Sequence, residues 1–255
     1  MMLSYSSILI AVAQCVAMLV CLEVGYRLGR YHRRDGKPHD EVSVVEGAIF
    51  ALFGLLLAFA FAGSLARLDT RRELIVHETN AIGTAYLRID LLPAAEQTDM
   101  RDLFHRYLNA RLRVYDDIDA GLDMAPAMAE ATGLQQQIWA KAIEASRQDS
   151  TRDISRLMLP ALNEMIDVTT ARAVALNTHL PGLILMLLLG LALLGSVLAG
   201  HALAKHERRT FMHSLVFAVT ISLTIYTVLD LDDPRRGLVR LDAAEQALRQ
   251  LQSEI

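Results

Sequence analysis

Three carboxylates, Asp230, Asp232 and Asp233, stand together directly after a long apolar run. Hard oxygen ligands that close could coordinate Ca²⁺, an ion that takes six to eight oxygens in all. No glycine-turned loop of the usual calcium-binding kind accompanies them, and Pro234, Arg235, Arg236 and Gly237 follow at once. The same residues therefore also read as a helix stop with interfacial ion pairs. Elsewhere, His77-Glu78 continues into Thr79, Asn80 and Ala81, so the second histidine of a zinc-protease helix is missing. His32, His39, His201, His206 and His213 are dispersed and lack cysteine or paired-carboxylate company, a pattern of surface residues rather than of a metal centre. No nucleotide-binding loop, nucleophile elbow or haem motif occurs. The expectation is a protein that is not an enzyme and carries no cofactor.

The remaining spacing with physical content is a stripe of small residues. Gly47, Ala51, Gly54, Ala58 and Ala62 recur at intervals of four, three, four and four within an apolar run. In lipid, where packing rather than hydrophobicity drives helix association, such a stripe lets backbones approach closely, either inside one subunit or between copies. Polar residues lie in or beside the apolar runs as well. Gln14 is expected to bond a neighbouring helix, and Glu23 and Glu46 either pair with Arg27 and Arg30 or mark an ion path.

The elements that must position these residues are four apolar runs, Ile8 to Val24, Val44 to Ala66, Pro181 to Leu203 and Phe211 to Leu229. Each is long enough at 1.5 Å per residue to cross a hydrocarbon core of about 30 Å. Only helices or closed barrels satisfy the backbone in lipid, and these continuous runs lack a barrel strand's alternation. The fold class is therefore all-α: an integral membrane protein with four transmembrane helices in two hairpins and a helical soluble domain between the second and third. Apolar residues at 53% with 21% charged suit a chain that is part membrane, part aqueous. A net charge of −4 gives no sign of nucleic-acid binding. Met1 to Ser7 holds no Lys or Arg, so the first run reads as a retained anchor rather than a secretion signal. Cys15 and Cys21 sit six apart in that run, about 120° around a helix, which rules out a bridge between them.

Residues 67–180 read as the soluble domain, with 1–66 and 181–229 as the membrane hairpins and 230–255 as an acidic turn and short amphipathic helix. Ile154, Leu157, Met158, Ala161, Leu162, Met165, Val168 and Ala175 follow helical spacing, as do Leu103, Tyr107, Leu108 and Leu112. Breaks at Pro93, at Gly121 to Pro126 and near Asp149 to Asp153 give about four helices. Pro160 is expected to bend the last of them, and Pro181 suits the first turn of the third span. No proline lies between Pro38 and Pro93, so the second span can run on as one rod into Arg67, Arg71 and Arg72. Short-loop basic residues (Arg27, Arg30, Arg33, Arg34 and Lys37; Lys205, Arg208 and Arg209) set both short loops in the cytoplasm. Arg67, Arg71, Arg72, Arg235, Arg236 and Arg240 on the other side nearly balance them.

The stretch GLLLAFAFAGSLARLDTRRELIVHETNAIGTAYLRIDLL from Gly54 to Leu92, with LDLDDPRRGLVRLDA from Leu229 to Ala243, resembles the bestrophin-like domain family of bacterial membrane proteins. Through that family the chain is distantly similar to bestrophins, pentameric anion channels with four spans and a helical domain between the second and third. Leu57, Ala58, Phe59, Arg67 and Arg72 stand at the spacings of the segment that ends the bestrophin neck. The resemblance implies a homo-oligomer, a pentamer by analogy, passing small inorganic ions in a bacterial inner membrane. It also implies pore-lining residues Ala51, Leu55 and Phe59, with Phe53, Leu57 and Phe61 as a second register. Gly47, Gly54, Ala58 and Ala62 are then candidates for packing between subunits, and Arg67, Arg71 and Arg72 for a vestibule. The acidic group is similar to the calcium cluster after the last span of animal bestrophins. Where a bestrophin usually has a proline at the start of the neck, this chain has Leu52. The alternative function, read from the insert alone, is a membrane-anchored sensor or scaffold that conducts nothing.

Overall fold

The structure is a computed structural model that describes residues 2–33, 42–148, 152–204, 211–233 and 242–255. Among these residues there are eight α-helices and no strand: α1 (Met2–Arg33), α2 (Val42–Leu87), α3 (Ala94–Ala120), α4 (Ala125–Gln148), α5 (Leu159–Asn177), α6 (Gly182–Leu203), α7 (Phe211–Asp232) and α8 (Asp242–Glu254). Four of them, α1, α2, α6 and α7, are long and apolar enough to cross a membrane. The second span does not stop at Ala66. With no proline or glycine pair to break it, it continues as one helix of 46 residues. It ends in a short 3₁₀ turn, Arg88–Leu91, after which Leu92 is extended (φ −77°, ψ 155°), as the residue before a proline must be. Gly121 closes α3 at φ 70°, a left-handed position that glycine takes without Cβ strain. The residues from Arg34 to Glu41, Asp149 to Thr151, Lys205 to Thr210 and Pro234 to Leu241 lie outside the described residues, and with them most of the basic residues used for orientation.

The chain divides into two compact units. One comprises Met2–Ala66 and His179–Leu238. Its core gathers Met18 and Leu22 of α1, Phe53 and Ala60 of α2, Leu188 and Ala192 of α6, and Ala218, Ile225 and Val228 of α7. The backbones come closest between α1 and α6 and between α1 and α7, and not within the chain-adjacent pairs α1 with α2 and α6 with α7. The membrane part of α2 joins through long side chains: the Phe50 ring meets Phe217 edge to face at 6.3 Å and would touch a side chain placed at Gly195. Pro181 precedes α6 as its cap, one position before the expected first turn, and its carbonyl accepts from the amides of Ile184 and Leu185.

The other unit comprises Arg67–Thr178 and Val239–Ile255. Leu68, Ile75, Ile82 and Ala85 form one buried stripe of α2, and the core continues through Phe104, Tyr107, Leu108 and Tyr115 of α3, Leu134 and Ile138 of α4, and Leu162 and Met165 of α5. The C-terminal helix α8 belongs to this unit, with Leu248 fully buried and Leu251 packed against the same core. Pro160 stands where a π turn joins α5. It falls at the start of α5, just after a wide π turn, Ile154–Met158, in which the Leu159 amide reaches back to Ile154. The missing amide proton of Pro160 thus falls where the bonding pattern passes from the π turn to the ordinary helix.

Candidate permeation face and buried charge cluster

Within its own unit α2 has two unlike sides. Phe53 and Ala60 are buried, and Leu57 packs against the same core. Leu55 and Phe59 are 54% and 65% exposed, and Ala51 is exposed beside them. Gly47, Gly54, Ala58 and Ala62 share that open side, and a Cβ on Gly47 or Gly54 would meet no atom within 4 Å. At 100° per residue these positions fall within roughly half of the helix circumference, opposite Phe53 and Ala60. The two registers of aromatic residues are thereby separated: Ala51, Leu55 and Phe59 lie on the open face, Phe53 and Leu57 on the packed one, and Phe61 at its flank, 39% exposed.

Close helix approach in this unit is made elsewhere, by glycines the sequence reading did not single out. A Cβ on Gly25 would lie 2.0 Å from the Val197 carbonyl oxygen, and one on Gly200 would lie 2.1 Å from that of Leu22. Gly29 approaches the His201 carbonyl and the Ala204 methyl in the same way. Gly25 and Gly29 are four apart on α1, as are Ser196 and Gly200 on α6, the small-xxx-small spacing that lets membrane helices touch backbone to backbone. That spacing was present in the sequence and was the available signal.

The polar residues of the spans find partners. The Gln14 amide donates to the Leu189 carbonyl of α6 at 3.2 Å, as a polar side chain between membrane helices should. Glu23 pairs with Arg27 one turn on, at 2.8 Å. Tyr226 donates to Asp230 at 3.1 Å. The Asp232 carboxylate accepts the Leu180 amide at 2.9 Å and stands 3.5 Å from His179, so it fastens the end of α7 to the chain entering α6. Among the described residues no group of three or more histidine, cysteine or carboxylate side chains could hold a metal ion. Helix α7 runs on through Asp232, with Asp230 held by Tyr226 and Asp232 by the Leu180 amide and His179.

In the other unit, the three arginines that follow the second span separate. Arg71 is 5% exposed and donates to the carbonyls of Ala175 and Thr178 at 3.1 and 2.9 Å, capping the end of α5. Arg72 lies on the surface near Asp69 at 3.5 Å, and Arg67 is half-buried. The most buried charge, Glu78, lies about two turns further along α2 and was not anticipated. Glu78 is fully buried and accepts from Arg111 at 2.6 Å, from the Tyr115 hydroxyl at 3.0 Å and from Arg172. The Arg172 guanidinium also sits 4.6 Å over the Tyr115 ring, a cation–π contact. Nearby, Gln135 donates to the hydroxyls of Tyr107 and Thr169 at 3.0 and 3.3 Å. Burial works against the Arg111 charge, but the Glu78 carboxylate outweighs it and holds the guanidinium above its ordinary range. Burial, then the Glu78 charge, drives the Tyr107 hydroxyl well above its usual 10.0. These groups tie α2, α3, α4 and α5 together at the centre of the unit.

A family model described as the bestrophin-like domain matches residues 11–245. The chain belongs to the bestrophin-like family. Solved structures agree on the fold of this bestrophin-like chain. A bacterial bestrophin homologue from Klebsiella pneumoniae, in one single-substitution variant, superposes with a TM-score of 0.70 at 16% identity, covering 97% of this chain and 98% of the other. A second variant of the same protein gives 0.69 at 15% identity, with 95% and 98% covered. No curated protein matches. At these identities the likeness is one of fold.

Proposed function

We propose that this bestrophin-like protein is a homo-oligomeric membrane channel for small ions, with copies of α2 lining the pore. Its four spans form two hairpins in a bacterial inner membrane, residues 67–180 form the soluble domain, and bestrophins supply the analogy for a pentamer and for anions. The observation that carries the reading is the open apolar face of α2. Leu55 and Phe59 are large, apolar and more than half exposed, while the opposite face of the same helix is committed to the core by Phe53 and Ala60. A helix embedded on one side and bare on the other, with small residues Gly47, Gly54, Ala58 and Ala62 beside the bare stripe, is built to meet copies of itself. Ala51, Leu55 and Phe59 follow one another at about one turn, so rings of them would make a dry constriction of the kind that gates by dewetting.

The test is ion flux into proteoliposomes together with the mass of the particle in mild detergent. An oligomer whose flux rises in Phe59→Ala supports the reading, because removing the ring widens the constriction. Phe53→Ala is expected to lower stability and to leave the flux per folded channel unchanged. A monomer that passes no ions, with or without Phe59→Ala, sinks the channel and leaves the anchored sensor or scaffold.

A further inference from the structure

The unit that holds the membrane-crossing helices carries, on the outside of α1, a groove that the channel reading does not use. It has a volume of about 620 Å³ and lies open along one side. Val16, Val20, Val24 and Phe211 supply its apolar wall, and Glu23 and Arg27 its polar end. The three valines are 46 to 57% exposed and Phe211 62%. From Val16 to Arg27 is 11 residues of one helix, about 16 Å at 1.5 Å each, close to half of a hydrocarbon core of about 30 Å. The groove is therefore as long as one leaflet, with its apolar part toward the bilayer middle and its charges at the headgroup level. Those charges are a carboxylate and a guanidinium held 2.8 Å apart. A pair of opposite charges does not select a net anion. It matches a headgroup that itself carries both signs, with a phosphate for Arg27 and an ammonium for Glu23.

We propose that this groove seats a phospholipid with a zwitterionic ethanolamine headgroup: acyl chain along the valines, phosphate on Arg27, ammonium on Glu23. The assignment requires only that α1 and α7 stand in a bilayer, and it is independent of whether the protein conducts.

The experiment is native mass spectrometry of the full chain in mixed micelles containing equal amounts of palmitoyl-oleoyl phosphatidylethanolamine and the corresponding phosphatidylglycerol. The unsubstituted protein should retain the ethanolamine lipid over the glycerol lipid by about two- to fivefold, the scale of one exposed ion pair. Glu23→Gln should remove the preference, Arg27→Gln should weaken retention of both lipids, and Val20→Trp should block the groove. Should Val20→Trp unfold, the two charge variants decide alone, since Arg27 is 78% exposed and its loss leaves the helix packing in place. Equal retention of the two lipids by the unsubstituted protein overturns the proposal. So does a preference that survives both charge variants, or a disulfide between two copies through Val20→Cys, which would put a second chain where the lipid is placed.

Discussion

Replacing Gly200 by alanine sets two effects of opposite sign against each other, and the structure says which wins. In a helix interior alanine is better than glycine by about 1 kcal/mol. The new methyl would lie 2.1 Å from the Leu22 carbonyl oxygen, whereas ordinary contact begins at 3.4 Å. The neighbour is backbone, so no rotamer change relieves the clash and α1 must retreat from α6 by more than 1 Å. Overpacking of this kind costs about 1 to 3 kcal/mol, and an immovable partner places it at the upper end. Gly200→Ala should therefore be net destabilising by about 1 to 2 kcal/mol once the propensity gain is deducted. Gly54→Ala, whose methyl meets nothing within 4 Å in the chain, should keep the full helix gain within one subunit, so that any loss of stability it shows reports packing against another copy. The doubly substituted Gly25→Ala/Gly200→Ala should lose less than the sum of the two single changes, because one separation of the helices relieves both contacts. Unfolding followed by circular dichroism in one mild detergent measures the unsubstituted protein, the three single variants at Gly25, Gly54 and Gly200, and the double variant. The reasoning is refuted if Gly200→Ala is as stable as the unsubstituted chain, since a backbone contact that tight cannot absorb a methyl without cost.

Glu78→Ala leaves Arg111 and Arg172 buried without their shared carboxylate and should destabilise the protein by about 3 to 5 kcal/mol; a melting temperature within a degree or two of the original would show that the cluster is not a structural centre. Arg71→Ala removes two charge-assisted bonds to the end of α5 and should cost about 2 to 3 kcal/mol, with faster amide exchange at Ala175 to Thr178 as its local signature. Lys141 pairs with Asp99 at 2.8 Å and, first through that hydrogen bond and then through its charge, lowers the Asp99 carboxyl below 3.8. A depressed carboxylate stabilises the fold above its unfolded value and loses that contribution as pH falls through the lowered one. Lys141→Ala should accordingly return the Asp99 titration to about 3.8, read by carbon NMR; an unmoved curve would mean the pair does not form in solution.

Sequence by itself determined the all-helical class and the four spans, because a bilayer admits so few ways to satisfy a backbone that apolar run length alone identifies them. It also determined the long second helix, since no proline stood in its path from Val42 to Leu87, and the break at Pro93, where chain stereochemistry is local. Tertiary structure decided which face of each helix is used. The stripe Gly47, Gly54, Ala58 and Ala62 has the same spacing as Gly25 and Gly29, yet only the latter meets a neighbouring backbone. Spacing says that a close approach is possible, and only the position of a second helix says that it happens. The same holds for Glu78. It falls in the buried register of Leu68, Ile75 and Ile82, as Arg111 does in that of Phe104, Leu108 and Tyr115, and Arg172 in that of Met165 and Val168. Each charge on a core stripe signalled that a partner was needed, but the partners are 33 and 94 residues away along the chain. Asp232 shows the limit from the other side. Its neighbours in sequence invited a shared cation, whereas the fold turned it to the Leu180 amide. Local pattern fixes what a residue can do, and the folded contacts choose which of those options lowers the free energy.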